Sequence, residues 1–246
     1  MPTATAAPLE PVVGEIGVRH AALGGSAGLL GAPLTPELRT PNGRGAYVLF
    51  ERGAIYWTPW TGAHEVHGEI RAGYGRLGWE NGLLGFPTSD EQRSTTGRGA
   101  VQDFEGGRVY WTPWTGAHEV HGAILTGYRA AGEEASPLGF PTSSELRTPN
   151  GQGAYARFEG GTFYFSPASG AHPVRGDIAG AYAAQGWENG CLGFPIRPER
   201  QYEAGPWHVQ EFQGGWVWWA AGFGTQVQLY PRDDPAYTTY GLYPRC

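Results

Sequence analysis

The sequence predicts a mainly β protein with short helices, built from four tandem 54-residue repeats that join in a propeller-like closed ring. Three observations carry that expectation. The quartets Leu30-Gly31-Ala32-Pro33, Leu84-Gly85-Phe86-Pro87, Leu138-Gly139-Phe140-Pro141 and Leu192-Gly193-Phe194-Pro195 fall 54 residues apart, three times without an insertion. Other columns keep the same register: Glu37, Glu91, Glu145 and Glu199; Gly43, Gly97, Gly151 and Gly205; Phe50, Phe104, Phe158 and Phe212. Finally, 41 glycines and 20 prolines in 246 residues make about a quarter of the chain turn chemistry, which excludes a helical bundle. A fixed period of this kind marks an array whose units stack because none can bury its own apolar face.

Each unit reads as helix, loop and hairpin. Gly68, Ile70 and Tyr74, then Gly122, Ile124 and Tyr128, then Gly176, Ile178 and Tyr182, set Ile and Tyr four apart on one helical face. The first copy carries Gly14, Ile16 and His20 in the same columns. These segments predict helices of about ten residues, stopped by Gly78, Gly132 and Gly186. The Leu-Gly-Phe-Pro loop comes next, and Thr88-x-x-Glu91 and Thr142-x-x-Glu145 after it have the spacing of a capping box. The recurrence of that Glu in every unit suits a structural hydrogen bond better than a ligand contact. The hairpin is clearest at Ala100–Phe104, turn Glu105-Gly106-Gly107, and Arg108–Thr112, where glycine supplies the positive φ that tight turns need. Closing the array into a ring, rather than leaving an open solenoid, would remove the strand edges that invite aggregation.

The expected organisation is a flexible segment over residues 1–11, a single repeat domain over 12–220 with units at about 12–65, 66–119, 120–173 and 174–220, and a tail over 221–246 packed on that domain. After Trp219 the register dissolves, and the Gly-Ala-His segment of the earlier units has no counterpart. Cys191 stands just before Leu192, and a bridge to Cys246 would fasten the tail to the fourth unit, contributing roughly 4 kcal/mol on chain-entropy grounds.

The four quartets, the Thr-x-x-Glu after them, the Phe-x-Gly-Gly-x-Ile/Val-Tyr-Trp hairpin and the Gly-Ala-His-x-Val segment together resemble the LGFP repeat family over about residues 12–220. Members of that family occur in exported or surface proteins of actinobacteria, often beside cell-wall enzymes. The resemblance implies a non-catalytic module, secreted or cell-wall associated, that binds wall polysaccharide. No catalytic domain is recognisable beside the repeats.

Composition narrows the partners. Charged residues are 16% of the chain, the net charge is −6, and all 17 basic residues are Arg, with no basic run to meet phosphate backbones or anionic lipid. Nucleic acid and membrane insertion are therefore excluded as expectations, and no stretch approaches the length of an apolar span. The chain shows no leader at its start, so an exported form would have lost it. A monomer without cofactor, metal or catalytic residues is expected.

A repeat sorts its own candidates, since columns filled alike serve the scaffold or a multivalent site, whereas a solitary site must use residues that break the pattern. Trp60 and Trp114 lead the ligand-binding candidates: flat aromatics suit the C–H faces of sugar rings, and Pro59 and Pro113 stiffen their loops. Trp57 and Trp111, inside the strand, are expected in the core. Trp79-Glu80-Asn81-Gly82 and Trp187-Glu188-Asn189-Gly190 each join an aromatic, a carboxylate and an amide, a hydroxyl-binding set or else a helix-ending loop with a Trp lid. His64, His118 and His172, with His67 and His121, lack zincin spacing and read as hydrogen-bonded joints between units. Gly24-Gly25-Ser26-Ala27-Gly28 matches a nucleophile-elbow string, but in the wrong context. Adjacent Glu133 and Glu134, and Asp233 and Asp234, read as solvated loops. Two rivals remain: an enzyme whose site draws on Trp207, His208, Trp216, Arg232, Asp233 and Asp234, and a protein-interaction scaffold.

Overall fold

The computed structural model describes residues 12–231. The chain divides into two compact units, Met1–Ala117 and His118–Cys246. Among the described residues there are four nine-residue helices: α1 (Gly14–Ala22), α2 (Gly68–Arg76), α3 (Gly122–Ala130) and α4 (Gly176–Ala184). Their Ile and Tyr columns drive them, since Ile16, Ile70, Ile124, Ile178, Tyr74, Tyr128 and Tyr182 are all buried, with His20 in the Tyr column of α1. Each helix ends where a glycine turns left-handed: φ is 91° at Gly24, 90° at Gly78, 98° at Gly132 and 86° at Gly186. A side chain there would strain the backbone.

The hairpins expected from the sequence are the middle of larger sheets. Four antiparallel four-stranded sheets run in chain order. The first holds Leu38–Arg39, Ala46–Phe50, Gly53–Thr58 and Gly62–His67. The second holds Gln92–Arg93, Ala100–Phe104, Gly107–Thr112 and Gly116–His121, and the division between the units falls inside this last strand. The third holds Leu146–Arg147, Ala154–Phe158, Gly161–Ser166 and Gly170–Arg175. The fourth holds Arg200–Gln201, His208–Phe212, Gly215–Ala220 and Gly224–Leu229. The Gly-Ala-His segments are thus strands in their own right. The fourth sheet takes its last strand from Gly-Thr-Gln-Val-Gln-Leu, which keeps only the leading glycine of that pattern. Backbone pairing continues the register there: Gly161 faces Arg175 in the third sheet, and Gly215 faces Leu229 in the fourth.

Two of the helices, α2 and α4, lie between consecutive sheets. In the first unit α2 packs on the strand Gly62–His67 and on Gly107–Thr112; in the second, α4 packs on Gly170–Arg175 and on the last two strands of the fourth sheet. The resulting cores are aromatic. Tyr74 lies edge-on to Tyr56 at 5.5 Å and against Phe104 at 4.8 Å, and Tyr182 repeats this with Tyr164 at 5.4 Å and Phe212 at 4.8 Å.

The quartet is the clasp between helix and sheet. Its Leu is buried in every copy, and so is its Phe in the three copies that have one. Its Gly is left-handed, with φ between 64° and 79°, and its Gly carbonyl accepts a hydrogen bond from the helix. Tyr74 Oη donates to Gly85 O at 2.8 Å, Tyr128 to Gly139 at 2.6 Å, Tyr182 to Gly193 at 2.8 Å, and His20 Nε2 does the same for Gly31 at 2.9 Å. The next N–H donates to the side chain at the hairpin turn: Ala32 to Glu51, Phe86 to Glu105, Phe140 to Glu159 and Phe194 to Gln213, at 2.9–3.1 Å. Buried polar groups must be paired, so this satisfied loop explains why the quartet recurs.

One expectation fails. No helix starts after Thr88 or Thr142, so the capping-box spacing does not make a cap. Thr88 N–H instead donates to Asp103 O at 2.9 Å, and Glu91 and Glu145 turn to His67 and His121 at 3.7 and 3.1 Å. A four-residue spacing alone cannot tell a helix start from a loop entering a short strand. No closed ring or propeller is found among the described residues, and in the second unit the outer strand Gly224–Leu229 is exposed at five of its six residues.

Candidate functional site

Trp60 and Trp114 stand on identical turns that join the third and fourth strands of their sheets. Each is pinned by a threonine pair. Thr58 Oγ1 accepts the N–H of Trp60 at 3.2 Å and of Thr61 at 3.0 Å, and lies 2.9 Å from Thr61 Oγ1; Thr112 and Thr115 repeat these bonds around Trp114 within 0.1 Å. His64 Nε2 donates to Thr61 O at 2.8 Å and closes the turn from its other side. The backbone is therefore fixed while the indoles project, at 75% and 74% exposure. Arg98 lies 5.9 Å over the Trp114 ring. Trp57 and Trp111, within the strands, are half-buried against the cores. In the third sheet Ser166 and Ser169 keep the pinned turn but Ala168 replaces the tryptophan.

Trp79, Glu80 and Asn81 form a 3-10 turn directly after α2, as do Trp187, Glu188 and Asn189 after α4. The two sets belong to different units. Trp79 and Trp187 are left-handed at φ 55° and 57°, a conformation that costs a non-glycine residue about 1 kcal/mol or more. Edge-on packing of each indole on the helix tyrosine offsets it, at 5.5 Å for Tyr74 and 5.7 Å for Tyr182. The carboxylates point inward: Glu80 and Glu188 are buried and accept hydrogen bonds from Asn81 and Asn189 Nδ2 at 3.2 and 3.3 Å. Burial pushes the Glu188 carboxyl above its usual pKa, against a hydrogen bond from its own backbone N–H. Asn42 Nδ2 donates to Glu80 O at 3.2 Å, and Asn150 to Glu188 O at 3.4 Å, which ties each corner to the preceding sheet.

In the first unit this corner opens on a polar cleft of about 430 Å³, bounded by Asn42, Arg44, Glu80, Asn81, residues 82–85, Glu105 and Gly106. Arg44 grips Glu105 with two bonds, at 3.0 and 2.5 Å. Burial opposes the Glu105 carboxylate, yet the hydrogen bonds from Arg44 and Phe86, with the Arg44 charge, hold its pKa below the usual value.

The histidines are hydrogen-bonded within the scaffold. His64 Nδ1 approaches Asp90 at 3.3 Å, His172 Nε2 donates to Ser169 O at 2.9 Å, and His67 Nδ1 donates to the buried Glu65 at 2.7 Å. Ser26 lies in a 3-10 turn after α1, not between strand and helix.

One cleft is marked by no single residue of the sequence. On the fourth sheet, Tyr202, Trp207, Trp218, Gln226, Val227 and Gln228 line a space of about 330 Å³. Tyr202 meets Trp218 edge-on at 4.9 Å, Trp216 lies 6.3 Å from Trp218, and Trp207 lies 5.8 Å from the exposed Phe223. Trp207 and Trp216 belong to the enzyme alternative. None of the residues lining the cleft is charged, His208 points to Glu199 at 3.1 Å, and Arg232, Asp233 and Asp234 lie outside the described residues. Cys246, the expected partner of Cys191, lies outside them too. Among the described residues no helix is long and apolar enough to cross a membrane.

No curated protein matches the chain. Among solved structures, it is similar to virginiamycin B lyase from Staphylococcus aureus at 9% identity, covering 83% of this chain and 57% of that one, with a TM-score of 0.16. The extracellular domain of a putative hybrid two-component system from B. thetaiotaomicron matches at 13% identity over 83% of this chain and 24% of that one, TM-score 0.18. A 2S albumin seed protein from Dolichos matches at 16% over 79% and 91%, TM-score 0.19. Likenesses this weak carry no conclusion about this chain. The LGFP repeat model, in contrast, matches residues 30–82, 84–136 and 138–190, each segment running from one quartet to the corner before the next. With more than half its length matched, the chain belongs to the LGFP repeat family.

Proposed function

We propose that this chain is a secreted, non-catalytic, monomeric protein that binds cell-wall polysaccharide through the aromatic loops of Trp60 and Trp114. The observation that carries this reading is the pairing of a rigid turn with an indole left in water, twice over and with the same bonds. Leaving a tryptophan exposed forgoes about 2 kcal/mol that burial would supply, and nothing in the scaffold needs it, since Ala168 serves the same turn in the third sheet. A flat, pre-oriented ring is what the C–H face of a pyranose or furanose stacks on at little entropic cost. The chain's low charge and lack of basic runs suit a neutral glycan better than a polyanion.

Retention of the full chain on purified actinobacterial wall polysaccharide tests the reading. The Trp60→Ala/Trp114→Ala double variant should lose most of it, because each stacked ring contributes on the order of 1 kcal/mol. Equal retention of the two proteins overturns the role of these tryptophans.

A further inference from the structure

The third and fourth sheets share a register, so their outer faces can be compared residue by residue. Trp218 stands where the third sheet has Tyr164, Trp207 where it has Gly153, Gln226 where it has His172, and Gln228 where it has Val174. In the third sheet α4 and the fourth quartet cover this face. Tyr164 is buried edge-on against Tyr182 of α4, Val174 is buried, and a Cβ at Gly153 would lie 2.0 Å from Phe165 O of the same sheet and 2.7 Å from the Phe194 ring of the fourth quartet. The fourth sheet has no helix after it among the described residues. Left in water, such a face should become small and polar; built for an apolar partner, it should keep its valine. Neither happened. The aromatic surface grew, from Tyr to Trp and from Gly to Trp, while the Val and His positions both became Gln.

Flat rings flanked by amides that both donate and accept are the chemistry of hydroxyl-rich ligands. We infer that the cleft of Tyr202, Trp207, Trp218, Gln226 and Gln228 is a single glycan subsite, which takes a short, uncharged stretch of polysaccharide. The inference rests on the carbohydrate-binding reading above but on other residues. The ligand is neutral because no residue lining the cleft is charged, and the volume of about 330 Å³ lies in the usual range for small-ligand sites. Trp218 is held at its angle by Tyr202, 78° from coplanar, so the plate is set before the ligand arrives.

Titration calorimetry of the full chain with the neutral oligosaccharide fraction of actinobacterial wall polysaccharide tests this. Trp207→Gly, which restores the residue of the other sheets, should weaken binding about tenfold, equivalent to roughly 1.4 kcal/mol. The Gln226→Ala/Gln228→Ala variant, altered only at exposed side chains, should weaken it several-fold without shifting the melting temperature, which separates binding from folding. Wild-type affinity in both variants, with binding lost in Trp60→Ala/Trp114→Ala, overturns the subsite and leaves the proposed function standing. If the wild-type chain binds no oligosaccharide at all, both fall. Two further results would also overturn it: a concentration-dependent dimer that Trp207→Gly dissolves, marking the cleft as a contact between copies, or binding that appears only when the chain is cut after Pro231, marking residues 232–246 as its occupant.

Discussion

The third and fourth sheets have the same four strands in the same order, and yet among the described residues only the third has a helix and a quartet laid over its outer face. Phe194, from the quartet after the third sheet, sits on Gly153, and Tyr182 sits on Tyr164. Among the described residues no quartet packs on the fourth sheet, and Trp207 occupies the glycine position. What differs is the neighbour, and the sheet's own residues differ with it. In this repeat, then, the residues on one face of a sheet are chosen by the next unit along the chain, as expected when a unit cannot bury its apolar surface alone.

The largest test of that dependence is Phe194→Ala. The ring is buried and holds the outer face of the third sheet, so its loss should cost about 3–5 kcal/mol by the usual scale for buried aromatics, measured by chemical denaturation. A loss below about 1 kcal/mol would show that the third sheet does not need its neighbour. Gly153→Ala approaches the same contact from the other side. Its Cβ would lie 2.0 Å from Phe165 O and 2.7 Å from the Phe194 ring, so a cost of about 1–3 kcal/mol is expected, and a neutral result would break the account of why tryptophan is tolerated only in the fourth sheet.

A smaller effect separates the sheets by pH. At the end of the first sheet His67 lies between Glu65 and Glu91, whereas the third has Arg175 there, 3.2 Å from Glu199. The hydrogen bond to Glu65 raises the His67 pKa above 6.5, against burial, with the Glu65 and Glu91 charges adding to the rise. A raised folded value means that this stabilisation is whole below pH 6.5 and fades as the pH climbs through the folded pKa. Glu91 acts in the same direction from pH 4.5 upward: burial raises its pKa, against His67 and with Glu65. The melting temperature should thus fall modestly from acid to mildly alkaline pH, the underlying stability by about 1 kcal/mol or less, since His67 stays partly open to solvent. His67→Arg should flatten the part above pH 6.5; an unchanged slope in that variant would assign the effect elsewhere.

The helices and quartets were legible because their causes are local. Ile70 and Tyr74 share a helical face by spacing alone, and Gly78 stops that helix by its own φ. Strand Gly224–Leu229 was not legible: a strand is recognised from sequence by alternation and family likeness, and this one has kept a glycine and its backbone pairing while every other side chain changed. Thr88-x-x-Glu91 misled for the opposite reason, since its spacing fits a cap but Glu91 is drawn away by His67. The exposure of Trp60 and Trp114 followed from their place just past a strand. The cleft on the fourth sheet did not, because Tyr202, Trp218 and Gln226 lie on three different strands or turns and become neighbours only by hydrogen-bonded pairing.

By itself, then, the amino-acid order determined the period, the helix ends and the clasp at each quartet, all of which depend on residues a few places apart or on a glycine's freedom to turn left-handed. Which faces became interior and which stayed open was decided by tertiary structure alone. Burial depends on the surface brought against a residue, and for Tyr164 and Gly153 that surface includes a helix tyrosine and a quartet ring many residues further along the chain.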